Sequence, residues 1–140
     1  MRIVLDTNVL VSASLSRKGA AYAVVSQLPS EEFEIALTVP LYVEYKAVLT
    51  RPEVMKTNYN EADAIGLAQY LCSIAHLQSI YFLWRPWLKD EKDDMVLEAA
   101  LASQSSYIVT HNIKDFVDKG IEDTFGIYPV SPQQFLDVIR

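Results

Sequence analysis

Short apolar runs alternate with segments of helical spacing along this chain, and the alternation predicts an α/β fold. The runs have the length and bulk of buried strands, and Pro129 marks the last of them as an edge strand because proline donates no backbone hydrogen bond. The predicted strands are Arg2–Leu5, Phe33–Leu37, Ser79–Leu83, Tyr107–Thr110 and Phe125–Val130.

The segments between these runs carry apolar residues at the three- and four-residue spacing of amphipathic helices. Asn60 with Asp63 indicates a capped helix start, and Ser131-Pro132 indicates another. The predicted helices are Ala21–Leu28, Leu41–Leu49, the stripe from Ala64 through His76, Asp93–Gln104 and Pro132–Ile139. Strands alternating with helices predict one domain over residues 1–140, with a mostly parallel sheet between two helical layers.

Polar residues follow two of the predicted strands directly. Asp6, Thr7 and Asn8 form an expected turn after the first strand, and His111-Asn112 ends the fourth. In open α/β folds, ligand sites lie beyond the carboxyl ends of parallel strands. We therefore expect these polar side chains to lie near one another at one edge of the sheet.

Composition limits the classes of protein to consider. The chain has 140 residues, 51% of them hydrophobic, and a net charge of −6. Cys72 is the single cysteine, so a structural disulfide or zinc site is not expected, and a reducing, cytoplasmic setting fits. We see no export signal and no apolar stretch of about 18 residues that would span a membrane. An acidic chain disfavours nucleic-acid partners unless the carboxylates themselves form a site.

Two acidic side chains, Glu44 and Asp93, stand where helical spacing turns them toward the interior. Glu44 lies on or beside the apolar face of its helix, although a position at the edge of that face, reaching water, is an equally good interpretation. Asp93 shares a face with Val96 and Leu97, and Asp94 lies about 100° further round. One member of the Asp93/Asp94 pair is expected only to stabilise the helix N-terminus.

Carboxylates brought together from separate segments repel one another unless a cation neutralises them. The candidate donors are all oxygen atoms, without cysteine or a helical histidine pair. This donor set favours a hard cation such as Mg²⁺ or Mn²⁺ over zinc.

Four motifs in sequence order resemble those of the PIN-domain nucleases, and the resemblance covers essentially the whole chain. They are Ile-Val-Leu-Asp6-Thr7-Asn8, the helical Glu44, Asp90-Glu-Lys-Asp93-Asp94, and Ile-Val-Thr110-His-Asn112-Ile-Lys-Asp115-Phe116. The small stand-alone prokaryotic type, related to VapC toxins, is the most similar. The resemblance implies a three-layer α/β/α fold and an Mg²⁺- or Mn²⁺-dependent endoribonuclease, the toxin of a toxin–antitoxin pair.

The resemblance also implies roles for individual residues. Asp6, Glu44 and Asp93 would be the main catalytic and metal-binding acids, with Asp94 a possible further ligand. The family often has an acid where this chain has Asn112. An asparagine ligates a cation through its carbonyl oxygen without adding charge. Asp115 follows three residues later as a further catalytic candidate. Polar residues that would orient the ligands are Thr7, Asn8, Asp90 and Thr110.

Substrate phosphates need positive or hydrogen-bonding partners. The candidates near the acidic segments are Arg17, Lys18, Lys46, Arg51, Lys89, Lys92, His111 and Lys114. The resemblance further implies an RNA substrate, an antitoxin protein and a homodimer or higher homo-oligomer as partners. The alternative, prompted by Asn112, is a catalytically degenerate PIN-like module that binds RNA or protein.

Overall fold

The computed structural model describes residues 1–55, 59–80, 91–117 and 120–140. Five parallel strands form one sheet in the order β3-β2-β1-β4-β5. They are β1 (Arg2–Leu5), β2 (Glu34–Leu37), β3 (His76–Leu77), β4 (Tyr107–Val109) and β5 (Tyr128–Val130). The predicted parallel sheet is confirmed, and Pro129 lies on an edge strand as expected.

Helices cover both faces of this sheet, which gives the predicted three-layer α/β/α architecture. The helices are α1 (Thr7–Leu15), α2 (Ala20–Val25), α3 (Val39–Leu49), α4 (Glu61–Ile74), α5 (Glu91–Ser103), α6 (Ile113–Val117), α7 (Ile121–Phe125) and α8 (Pro132–Val138). Helix α5 packs across β2, β1 and β4 and also contacts α3. Helix α2 packs against α1 and α8, and α3 against α4.

The two predicted capping motifs are present. Asn60 and Asp63 exchange side-chain and backbone hydrogen bonds at the start of α4, at 2.9 and 3.0 Å. Ser131 and Gln134 do the same at the start of α8, at 2.8 and 3.1 Å. Each pair satisfies backbone N–H groups that have no partner within the helix, which fixes where the helix begins.

The core consists of the strands, where the apolar runs predicted it, and of the helix faces that pack on them. Ile3, Val4 and Leu5 of β1 are fully buried, and Ile108 and Val109 of β4 lie beside them. Near the amino ends of β2 and β4, the ring of Phe135 of α8 contacts the rings of Phe33 and Tyr107 at centroid distances of 5.0 and 5.9 Å. None of the helices in the described ranges is both long and apolar enough to cross a bilayer.

Several local expectations were wrong. The predicted polar turn after β1 does not exist: Asp6 is the N-cap of α1, and the helix begins at Thr7. The apolar stripe was extended too far, because α4 ends at Ile74 and His76 pairs with Ala36 in a strand. Ala75, which has extended backbone angles, separates the two elements.

The third strand was placed too late along the chain. It lies at β3, and residues 78–80 are not in a strand, whereas residues 81–83 of the predicted strand lie outside the described residues. Phe125 was assigned to the last strand but ends α7, and Gly126 caps that helix in the left-handed conformation, with φ of 69°. Helices α6 and α7 have five residues each, too few to give a periodic signal.

Candidate active site

Asp6 stands where β1 passes directly into α1. Its backbone N–H donates to the carbonyl of Val109 on the neighbouring strand at 2.9 Å, which extends the β1–β4 pairing by one residue. Its own carbonyl accepts the N–H of Val9 at 3.0 Å, the first turn of the helix. Sheet and helix together fix this residue, and only 8% of its surface is exposed.

Thr110 binds the Asp6 carboxylate from the end of β4. Its hydroxyl donates to Asp6 Oδ2 at 2.7 Å and accepts the backbone N–H of Asn112 at 2.9 Å. Thr110 is fully buried, and its own N–H donates to Val130 at 2.8 Å. One side chain therefore joins the carboxylate after β1 to the loop after β4.

A second link between the same two segments runs through His111. Its backbone N–H donates to Asn8 Oδ1 at 3.3 Å, and its Nε2 lies 2.9 Å from the hydroxyl of Ser12. Ser12 was not a sequence candidate. It lies four residues after Asn8 in α1, so the two side chains share a helix face, and this spacing was the signal that could have found it.

Helix α3 brings Glu44 to the site. Thr38 caps this helix by accepting the N–H of Leu41 at 3.3 Å, and Tyr45, fully buried, donates its hydroxyl to the carbonyl of Leu5. The tyrosine thus ties α3 to the end of β1. Glu44 precedes it and keeps 16% of its side chain exposed, so the edge position is the observed one.

The two adjacent aspartates of helix α5 have different surroundings. Asp93 is partly exposed and lines the same cleft as Asp6 and Glu44. Asp94 is only 2% exposed and is not among the lining residues. Glu98, one turn further on, is equally buried and was missed in the sequence. Asp90 lies outside the described residues.

The cleft encloses about 390 Å³ at the carboxyl ends of β1 and β4. Its described lining residues are Asp6, Thr7, Asn8, Val11, Ser12, Glu44, Val48, Lys92, Asp93, His111 and Asn112. Thr110 lies buried against Asp6. The sequence candidates outside the described lining are Asp94, Asp115, Arg17, Lys18, Lys46, Arg51 and Lys114. Of the basic sequence candidates, Lys92 lines the cleft, and Lys89 lies outside the described residues.

Burial raises the pKa of the Asp6 carboxyl above its ordinary value. The hydrogen bonds from the Thr110 hydroxyl and the Thr7 backbone lower it, as does His111, whereas the negative charge of Asp115 raises it. The upward direction prevails, because the site removes water from the carboxylate more than it supplies positive partners. Burial, helped by the charge of Asp6, also raises the pKa of the Tyr45 hydroxyl well above its ordinary value.

Asp6, Glu44, Asp93 and Asn112 bring carboxylate and amide oxygens to the cleft, and such oxygens are ligands for hard cations. Within the described ranges, no three His, Cys, Asp or Glu side chains converge closely enough to enclose an ion by themselves. Mg²⁺ does not require such a cage, because it keeps several water ligands and binds through one or two carboxylates together with substrate phosphates. The chemistry of the donor set therefore fits Mg²⁺ or Mn²⁺.

The fold and this site define an α/β domain with an acidic cleft at the ends of its central strands, and the PIN domain family model matches residues 2–114. The chain belongs to the PIN domain family. A search of curated protein sequences gave no match.

Solved structures that share the fold include the following two. One is the structure of VapBC2 from Rickettsia felis bound to a DNA fragment from their promoter, with a TM-score of 0.64 and 14% identity, covering 94% of this chain and 98% of that one. The other is VapBC-1 from nontypeable Haemophilus influenzae, with a TM-score of 0.63 and 18% identity, covering 95% of this chain and 99% of that one. The resemblance to small VapC-like PIN domains is confirmed at the level of fold.

Proposed function

We propose that the acidic cleft is the active site of an Mg²⁺- or Mn²⁺-dependent endoribonuclease. The observation that carries the proposal is the meeting of Asp6, Glu44 and Asp93 in one cleft, although they come from the end of β1, from α3 and from α5. Structural needs do not explain this arrangement, since like charges gathered in a partly buried cleft destabilise the fold. Membership in the PIN domain family supports the same conclusion.

Asp6 and Asp93 are the proposed principal metal ligands, and Glu44 either completes the set or orients the attacking water. The carbonyl oxygen of Asn112 is a further neutral ligand in this proposal. A divalent cation held there would supply Lewis-acid stabilisation of the charge that develops on the scissile phosphate. Asp94 has no proposed contact with the ion, because its side chain is buried away from the described lining.

Other residues hold these ligands in position. Thr110 fixes the Asp6 carboxylate and the Asn112 backbone at once. Asn8 holds the His111 backbone beside them. Hydrogen bonds of this kind orient metal ligands and raise metal affinity. Asp115, exposed on α6, adds negative charge near Asp6 and is proposed to act at long range.

We also propose that the chain is the toxin of a toxin–antitoxin pair, inhibited by an antitoxin protein and working as a homodimer. Support comes from the two structures with the same fold, both of which are named as VapBC assemblies. The exposed apolar side chains of Val39, Val43 and Leu77 offer surface that a partner chain would cover.

The test is cleavage of a mixed RNA pool, and of single-stranded DNA of matched length, by the purified protein in Mg²⁺, Mn²⁺ or EDTA. Asp6→Asn and Asp93→Asn, purified identically, control for contaminating ribonuclease. We expect metal-dependent cleavage of RNA that is lost in both variants. Cleavage that survives EDTA or both substitutions would contradict the proposal.

The second candidate is a degenerate binding module, favoured by the neutral Asn112 at a position where the family often has an acid. It predicts that the wild type binds RNA but leaves it intact in every metal. Restoring charge with Asn112→Asp separates the two candidates further, because an added carboxylate should strengthen a working metal site.

A further inference from the structure

Lys92 places a positive charge inside an otherwise acidic cleft. It lies in the first turn of α5, and its Nζ is 3.9 Å from Glu44 Oε1. Its side chain is 55% exposed, against 16% for Glu44, so much of the lysine side chain is accessible to solvent beside the carboxylate. Among the described lining residues it is the one lysine or arginine.

The other basic candidates lie elsewhere. Arg17, Lys18, Lys46 and Lys114 are exposed and do not contribute to the described lining of the cleft. A phosphodiester that approaches the cleft meets the carboxylates of Asp6, Glu44 and Asp93, which repel it. The divalent cation of the proposed function offsets part of that repulsion, and Lys92 is the positive side chain that the described cleft wall adds.

We propose that Lys92 is a substrate-binding residue that exchanges partners. In the free protein its ammonium neutralises Glu44, and in the complex it binds a phosphate of the RNA. A lysine suits this exchange because its compact charge is carried on a flexible four-carbon stem. The proposal deepens the proposed function and rests on it.

The exchange predicts effects of opposite sign on metal and on substrate. A cation at Glu44 opposes the approach of a second, divalent cation, so removing it should strengthen metal binding. The same ammonium attracts the RNA backbone, so removing it should weaken substrate binding. A residue that merely supports the fold would weaken both.

The experiment compares the wild type with Lys92→Gln, with Lys92→Arg, which keeps the charge, and with Arg140→Gln. Arg140 is a matched control because it is an exposed cation paired with a carboxylate, that of Asp137, at 3.7 Å. The first readout is the Mn²⁺ dissociation constant, measured from free Mn²⁺ by electron paramagnetic resonance without RNA. The second is KM, together with the slope of log(kcat/KM) against log[KCl].

For Lys92→Gln we expect the Mn²⁺ dissociation constant to fall about two- to fivefold and KM to rise about fivefold, the range of exposed charge contacts. The salt slope should become shallower by about 0.7, as expected for one phosphate of a single strand. Lys92→Arg should stay near the wild type, and so should Arg140→Gln.

A Lys92→Gln protein with unchanged salt slope, or with weakened Mn²⁺ binding, would overturn the assignment. These results differ from failure of the proposed function, in which the wild type itself neither binds Mn²⁺ nor cleaves RNA. Loss of folding in Lys92→Gln would appear as lost helical circular dichroism, and Lys92→Met then provides the second neutral variant.

Discussion

The hydroxyl of Thr110 is the contact on which the geometry at Asp6 depends most directly. Thr110→Val removes this hydroxyl while keeping the branched shape of a side chain that is fully buried. Two hydrogen bonds are lost, the 2.7 Å bond to the Asp6 carboxylate and the 2.9 Å bond from the Asn112 N–H. The substitution leaves the packing of β4 otherwise intact.

The expected cost follows from the nature of the two bonds. A hydrogen bond to a charged group contributes about 1.5–3 kcal/mol and one between neutral groups about 0.5–1.5 kcal/mol. The free energy of unfolding should therefore fall by about 2–4.5 kcal/mol. Because the Thr110 hydroxyl lowers the pKa of Asp6, its loss should raise that pKa further above the ordinary value.

Thr110→Val should also weaken metal binding by the protein that remains folded, an effect separate from the loss of stability. Groups that hydrogen-bond to metal ligands typically change metal affinity by about 10- to 100-fold when removed. The assays are urea denaturation followed by circular dichroism, and Mn²⁺ titration of the folded protein. Thr110→Ser keeps the hydroxyl and should bind Mn²⁺ almost as the wild type does.

Thr38→Val is the matched control. Thr38 is also buried, at 3% exposure, but its hydroxyl caps α3 by accepting the N–H of Leu41, whereas that of Thr110 binds the Asp6 carboxylate. Losing that cap should cost about 1 kcal/mol, with Mn²⁺ affinity unchanged. If Thr110→Val and Thr38→Val altered Mn²⁺ affinity equally, the reasoning about Thr110 would be refuted.

Three further outcomes are expected from substitutions around the cleft. Asp6→Asn should abolish Mn²⁺ binding, yet it should raise the unfolding free energy of the metal-free protein at neutral pH by about 0.5–2 kcal/mol. Because the pKa of Asp6 is raised in the folded protein, this gain in stability should vanish at a pH below the unfolded-state pKa and grow as the pH rises through the folded-state pKa. Urea titrations of both proteins over this pH range measure the gain. Asp93→Asn should weaken Mn²⁺ binding about tenfold or more, whereas Asp94→Asn should leave it unchanged. Equal effects of the two substitutions in Mn²⁺ titrations would contradict the placement of α5. Tyr45→Phe removes the hydroxyl that donates to the buried carbonyl of Leu5, and it should lower the unfolding free energy measured in urea by about 1–3 kcal/mol. An unchanged midpoint of the urea transition would contradict this prediction.

The sheet was predictable because each central strand is a continuous apolar run bounded by polar residues. Parallel strands buried on both faces have this pattern, and Ile3 to Leu5 and Ile108 to Val109 follow it. Once the strands were assigned, the polar residues at their carboxyl ends had to meet. Asp6 and Asn112 could thus be placed at one edge without any structure.

The errors arose where short-range and long-range determinants compete. Thr7 begins a helix because Asp6 is held by β4, a contact remote in sequence, whereas the local triplet resembles a turn. His76 continues the apolar stripe of α4 but is withdrawn from the helix by pairing with Ala36. Local periodicity carries no information about either partner.

The sequence could name Asp6, Glu44 and Asp93 of the cleft, but it also named Asp94 and Asp115, which are outside the described lining. Asp93 and Asp94 are adjacent, and only packing of α5 decides which side chain reaches the cleft and which is buried. The sequence alone could not single out Lys92 either, because all the basic residues near the acidic motifs look alike in sequence. Its position beside Glu44 depends on the packing of α3 against α5.

Binding of Mn²⁺ to the wild type and to Asp93→Asn, followed by electron paramagnetic resonance without RNA, tests the central claim most directly. It measures the cleft's affinity for a divalent cation without depending on the choice of RNA. The account predicts saturable binding by the wild type and binding weaker by about tenfold or more in the folded variant. Absence of saturable binding in the wild type, or equal binding in both proteins, would contradict it.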